Sequence, residues 1–373
     1  MGRRRVTVVK VPYGKVPISI DDQILMLKGR GLTFGDEAKA KQLLGNVTYF
    51  RLVAYMRPME ADKVTHQFKA NATWEKAVEL YDFDTELRKL IFAAIQKVEI
   101  AVRSKMINRF SLAHGAFWFV NSDLCVNERL FVQNMGAVDR ELDRAKDDFI
   151  REHFERYSSP AYPPAWKTME LATFGTLSKL FANFSDSALK NDIAKDFGLP
   201  RYVMLESWIQ CLAVLRNACA HHSRVWNKVF TSPATMPERL PMDWVDVAGV
   251  TANRLYARLC CIVYLLNAID EENGFVAALK ELLVSHPNVD VSAMGFPERW
   301  DEEPLWKTDS EEEVASDEGE TQEEVGTSDE VASQETDAAD GESSEAEVVS
   351  KTKVDSEVVT LAEDAGSKAP EKE

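Results

Sequence analysis

Between residues 84 and 106 the apolar side chains Leu87, Leu90 or Ile91, Ala94, Val98, Ala101 or Val102 and Met106 return every three to four positions. An α-helix places such residues on one side, and Asp84 ahead of the run predicts where the helix starts. A second seam of this kind runs through Leu205, Trp208, Leu212, Leu215 and Cys219. Residues 251–267 carry a third through Leu255, Leu259, Ile262, Val263 and Leu266, and residues 275–284 a shorter one. Helices with one apolar side bury it against one another, so the expected fold class is all-α, a helical bundle.

Short helices precede this bundle. Asp21 or Asp22 can cap one that runs through Leu27, and the glycines of GRGL at 29–32 end it. Asp36 starts another. Tyr49, Leu52, Val53 and Met56 share a face of a third, which Pro58 stops. The expected organisation is a helical lead-in over residues 1–80 and a helical core over residues 81–306. Within the core, GAFWFV at 115–120 is expected to pack inside rather than to stack on unpaired bases. Residues 128–157 alternate acids and bases along a solvated face. Pro163 and Pro164 impose an extended approach, Trp166 is expected to anchor it, Gly175 marks a close packing point, and GLP at 198–200 ends a segment.

The formal net charge of −17 on 373 residues is unevenly distributed. Residues 301–373 hold 26 acids and 5 bases, a net −21, which leaves +4 on residues 1–300. From about Lys307 the chain has no helix-period apolar stripe, so residues 307–373 are expected to be a disordered acidic tail. Solubilisation is its expected role; the alternative is that it covers a basic RNA surface. Deleting residues 307–373 decides between them: RNA affinity at low salt stays unchanged if the tail only solubilises and rises if it covers.

Five cysteines without a CxxC pair suggest core thiols rather than a zinc site or disulfide framework. The longest apolar run, residues 259–266, is far shorter than the ~20 residues of a membrane span. Val6 breaks the pattern for amino-terminal myristoylation. Neither a metal nor another cofactor is expected, and the expected location is the cytoplasm, away from membranes.

The stretch RNACAHHSRVWN at residues 216–227 carries the candidate chemistry. On a helix, Asn217 and His221 share a face roughly opposite Leu212, while Arg216 sits beside the apolar seam. With 21 arginines and 6 histidines, an Arg five residues before a His arises on the order of 0.3 times by chance, so spacing alone says little. Arg109 and His114 share it where a helix runs out. Arg216 differs in its company: Asn217, the doubled His221 and His222, and the group Arg224, Trp226 and Asn227.

This stretch resembles the signature of the Abi abortive-infection family, bacterial proteins related to phage resistance that carry a HEPN-type R-x4-6-H ribonuclease motif. DDQILMLKGRGL, VTYFRLVAYM at 47–56, VEIAVRSK, PPAWKTMELATFGTLSKLF and MGFPERWDEEPLW agree in order, so the likeness covers roughly residues 15–306. It implies a HEPN-like bundle and metal-independent cleavage of RNA, with Arg216, Asn217 and His221 catalytic. Glu99 and Arg103 lie where the family carries a Glu and a basic residue. They are either an intrahelical ion pair worth ~0.3–0.5 kcal/mol or a support that orients Arg216 or His221.

RNA supplies its own nucleophile, the 2′-hydroxyl, so a protein needs a proton acceptor, a proton donor and positive charge at the phosphorane. Histidine does proton work near neutral pH, and arginine suits phosphate oxygens. Asn217, one turn before His221, is expected to fix its ring tautomer. His222 is expected to be a helix-end or packing residue, with a supporting role as the alternative. Arg224, Trp226 and Asn227 are RNA-binding candidates. Arg216 and His221 project about 140° apart on one helix. HEPN proteins meet that difficulty by pairing motif helices, so a homodimer with a composite cleft is expected. The expected partners are an RNA substrate and a regulatory noncoding RNA or antitoxin. Two alternatives remain: an inactive RNA-binding HEPN protein, and a protein-interaction component of a defence operon.

Overall fold

The computed structural model describes residues 12–307. The basic first segment with Arg3, Arg4, Arg5 and Lys10, expected to be a frayed terminus with attraction to phosphate backbones as the alternative, and the acidic tail from residue 308 lie outside the described residues. Twelve α-helices are present among the described residues, with one two-stranded hairpin. None is long and apolar enough to cross a membrane.

Three short helices open the chain: α1 (Ile20–Gly29), α2 (Glu37–Asn46) and α3 (Tyr49–Met56). Ser19, two residues before the first of the expected aspartates, caps α1 by accepting from the Asp22 amide, and Asp36 caps α2 by accepting from the Lys39 amide. A tight turn follows α3, then the antiparallel hairpin β1 (Glu60–Asp62) and β2 (Gln67–Phe68), an element the sequence pattern did not announce.

The organising element is α4 (Trp74–His114), 41 residues and hence about 60 Å long. It starts a full ten residues before Asp84. Thr73 is its cap, accepting from the Lys76 amide, and Asp84 is a mid-helix residue at 0% exposure. The first turns of α4 belong to a small core in which Trp74 and Ala77 pack with Leu27, Leu44, Leu52 and Met56. From Phe83 onward the same helix carries the main core. Residue 81 therefore lies inside one continuous helix shared by lead-in and bundle.

The bundle continues with α5 (Glu128–Arg144), α6 (Asp148–Arg156), α7 (Ala165–Leu171), α8 (Phe174–Asn183), α9 (Ser187–Lys195), α10 (Tyr202–Ala220), α11 (Leu255–Asn267) and α12 (Phe275–Ser285). Helix α10 packs against α4, α8, α9 and α11, burying the whole expected seam of Leu205, Trp208, Leu212, Leu215 and Cys219. Helix α11 is buried on every side from Leu255 to Leu266, as expected of a central bundle member. Trp118 and Phe119 of the aromatic patch are buried, with Phe110 and Phe184 as ring neighbours of Trp118.

Two packing expectations are overturned. Trp166 is 51% exposed, and the buried Pro163, Pro164 and Ala165 make the core contact instead. The rigid proline pair seats the chain and turns the indole outward. Gly175 is not tightly packed either: a Cβ there would meet only the Thr173 hydroxyl at 3.8 Å, an ordinary contact.

Candidate active site

Helix α10 ends at Ala220, so the two histidines follow it rather than lie within it. His221 is the C-cap, and the next residues close a Schellman motif: the His222 amide donates to the Cys219 carbonyl and the Ser223 amide to the Ala218 carbonyl. The motif demands left-handed backbone at His222, which adopts φ +53°, a position where glycine is usual. No glycine or proline stops the helix. The stop comes from Asp84, whose Oδ1 accepts from the Val225 amide at 3.1 Å and the Trp226 amide at 2.6 Å.

The other oxygen of Asp84 accepts from the Tyr55 hydroxyl at 2.6 Å and from the Arg88 guanidinium, itself 5% exposed. Burial pushes the Asp84 carboxyl above its ordinary value; the hydrogen bonds from Tyr55 and Trp226 and the Arg88 charge oppose that rise. On the far side of the loop, Arg51 of α3 donates to the His222 carbonyl at 2.5 Å. The segment after α10 is thus clamped between α3 and α4, with its histidine side chains left outside.

Arg216 lies on the other side of α10, against α4. Its Nε stands 3.5 Å from Glu99 Oε2, and its guanidinium lies 5.4 Å from the Phe92 ring centre. Glu99, at 7% exposure, also accepts from Arg103 at 3.0 Å, and Arg103 in turn donates to the Ala172 carbonyl at 3.1 Å. Glu99 and Arg103 form the intrahelical ion pair, and the same carboxylate reaches Arg216. The Arg216 Nε is buried without a hydrogen-bond partner, since its approach to Glu99 is an ion pair only. Among the described residues no nitrogen of the Arg216 guanidinium makes a hydrogen bond. It is positioned by charge and ring contact, 28% exposed, with its donor fork uncommitted.

His221 and Asn217 are exposed. The contact between them is through the backbone, the His221 amide donating to the Asn217 carbonyl at 3.0 Å, and among the described residues the Asn217 side chain makes no hydrogen bond to the imidazole. Val203, Gln210, Val214, Asn217 and His221 are all exposed and recur at helical spacing, forming one stripe with His221 at its C-terminal end. Arg216 points about 140° away from it. One chain therefore presents the two groups on different sides of α10.

The remaining candidates have structural partners. Arg224 donates to the Ala54 carbonyl at 3.2 Å and the Asn227 carbonyl at 3.4 Å. Asn227 adopts φ +49° and its Oδ1 accepts from Arg254 at 3.0 Å. Trp226 is 3% exposed and its indole donates to the Asp290 carbonyl, so its ring is not available as an open stacking platform. Arg109 and His114, which share the spacing, are bound to Asp196 and Asp186 instead. Within the motif, burial pushes the Cys219 thiol up to about 12, which leaves it inert as a nucleophile.

Sequence reading missed the cluster of Tyr55, Asp84 and Arg88. Its signal was present: Asp84 and Arg88, four apart, continue the stripe of Leu87, Ile91, Ile95 and Val98 that is buried along α4. Residues 42–227 match the family model described as Abi-like protein, a span that holds α3, the Glu99 segment and the whole motif. No curated protein and no solved structure matches the chain.

Proposed function

We propose that this chain, which belongs to the Abi-like protein family, is a metal-independent endoribonuclease of the HEPN type acting in phage defence or as a toxin restrained by a partner RNA or antitoxin. The observation that carries the reading is the state of Arg216: a guanidinium held through Nε by Glu99 and against Phe92, whose two terminal nitrogens make no hydrogen bond among the described residues. In the proposed reaction the ribose 2′-oxygen attacks the adjacent phosphorus, and the bond to the 5′-oxygen breaks. The 2′-hydroxyl loses a proton and the leaving 5′-oxygen gains one, giving a 2′,3′-cyclic phosphate and a 5′-hydroxyl. Arg216 stabilises the charge on the phosphorane, and His221 moves one of the two protons. Because the two groups face apart on one helix, the active cleft forms between two copies, with the exposed stripe of α10 at their junction.

The decisive experiment is incubation with total RNA in EDTA, comparing the wild type with Arg216→Ala and His221→Ala. Metal-independent cleavage lost in both variants is the expected result. RNA that binds but stays intact in the wild type would leave the inactive RNA-binding alternative, and absence of binding the protein-interaction one.

Two further outcomes follow from the geometry. Val214, 38% exposed on the stripe beside Asn217 and His221, tolerates a charge in a monomer but not in a packed dimer junction. Val214→Glu is expected to shift sedimentation toward monomer and to remove cleavage in parallel. Glu99→Gln takes the counter-charge from Arg216 and is expected to lower kcat by about tenfold, with the RNA Kd nearly unchanged. A Kd that moves as much as kcat would assign Glu99 to binding rather than to orienting Arg216.

A further inference from the structure

Two cavities adjoin where α3, the β1–β2 hairpin and the loop after α10 meet, and neither is lined by Arg216 or His221. The first, about 570 Å³, has Arg57, Lys63, Lys69 and Arg224 in its wall. Among the described residues none of these four cations is paired with a carboxylate. Lys69 donates to the Pro58 carbonyl and Arg224 to two other carbonyls, while the side chains of Arg57 and Lys63 have no hydrogen bond or ion pair among the described residues. The one acid in the wall, Glu60, is 8% exposed and its Oε1 stands 3.1 Å from His66 Nδ1. Four like charges around one concavity repel one another, and an anion seated among them relieves that repulsion.

The second cavity, about 350 Å³, has a mainly apolar wall that includes Met59, Leu80, Trp226, Val289 and Ala293, and the polar Asn288 and the charged Lys76, Glu79 and Asp290 line it as well. The Asn288 amide nitrogen donates to Glu79, and its carbonyl oxygen is uncommitted. Pro58 and Asn227 line both cavities, so the cationic and apolar compartments are neighbours. A ligand suited to both has an anionic group joined to a flat, largely apolar body with hydrogen-bonding edges.

We propose that these adjoining cavities bind a phosphorylated nucleotide unit, the phosphate among Arg57, Lys63, Lys69 and Arg224 and the base in the apolar compartment. A free nucleotide and a nucleotide within an RNA strand present the same chemistry. The site lies on residues other than Arg216 and His221, and its binding does not depend on cleavage.

The test is calorimetric titration of the full-length protein with AMP, adenosine and inorganic phosphate. AMP is expected to bind more tightly than either fragment. Arg57 and Lys63 are exposed, so the double variant Arg57→Ala/Lys63→Ala keeps the fold, checked by its melting curve. It is expected to weaken AMP by about tenfold or more and to leave adenosine unchanged. Ala293→Phe fills the apolar compartment and is expected to weaken AMP and adenosine while phosphate binding persists. His221→Ala is expected to retain AMP binding, so failure of the cleavage reading and failure of this one are told apart. A single-stranded RNA titrated into His221→Ala with and without the Arg57 and Lys63 substitutions assigns the source. Affinity lost with AMP places the site on the RNA path; affinity kept while AMP binding falls makes the ligand a free nucleotide. AMP bound no more tightly than phosphate, or equally in all variants, overturns the proposal.

Discussion

In EDTA, His221→Ala is expected to lower RNA cleavage by about 10²- to 10⁴-fold, the usual range for a positioned proton-transfer group. Arg216→Ala is expected to cost about 10²- to 10³-fold, the range for one donor aimed at developing charge. Neither loss is expected to come from unfolding: His221 is exposed and caps α10 through its backbone, and without Arg216 the Glu99 carboxylate keeps its bond from Arg103. The informative experiment mixes the two inactive variants. If Arg216 of one copy works with His221 of the other, a mixed dimer rebuilds one intact cleft out of two. Random pairing makes half of the dimers mixed, so about one quarter of the wild-type rate is expected to return. A cleft built within a single chain returns nothing on mixing, and that result would sink the composite site. Measurement needs only the two purified variants, mixed with and without dissociation, and a product carrying a 2′,3′-cyclic phosphate.

The bundle was legible in the sequence because burial against neighbouring helices leaves a period that needs no partner to be read. The seam from Leu205 to Cys219 and the central run from Leu255 to Leu266 are buried as their spacing requires. Ends of helices were less legible, since what stops them lies elsewhere in the chain. Asp84 resembles a cap because short acidic side chains favour that place, yet Thr73 caps the helix and Asp84 holds a loop some 140 residues away. The same contact ends α10 at Ala220 and puts His221 and His222 outside the helix that the pattern assigned to them. For the candidate site, helical spacing gave the separation of Arg216 from His221 and the common face of Asn217 and His221. It did not give the use of Arg224, Asn227 and Trp226 as loop anchors, because a polar side chain looks alike in sequence whether its partner is a carbonyl or a ligand.

Asp84→Ala is expected to be the most damaging single substitution for stability, about 3–5 kcal/mol, because it leaves Arg88 charged, buried and without its counter-charge. Arg88 is 5% exposed and donates to Asp84, to the Tyr55 hydroxyl and to the Thr85 hydroxyl, so two neutral oxygens would be all that remained to it. Adding Arg88→Met removes the stranded charge and should recover much of the loss, as buried pairs replaced by apolar groups often do. Recovery cannot be complete, since the Val225 and Trp226 amides still lack their acceptor, and a deficit of about 1–3 kcal/mol is expected to persist. Urea midpoints of the wild type, both single variants and the double variant measure the coupling directly. A loss below about 1 kcal/mol for Asp84→Ala would mean that the loop after α10 is held by Arg51 and Arg224 instead. If the loss is as large as expected, the clamp and the catalytic face are one unit, and cleavage should fall in step with the fraction unfolded under mild denaturant while the double variant, more stable than Asp84→Ala, regains it.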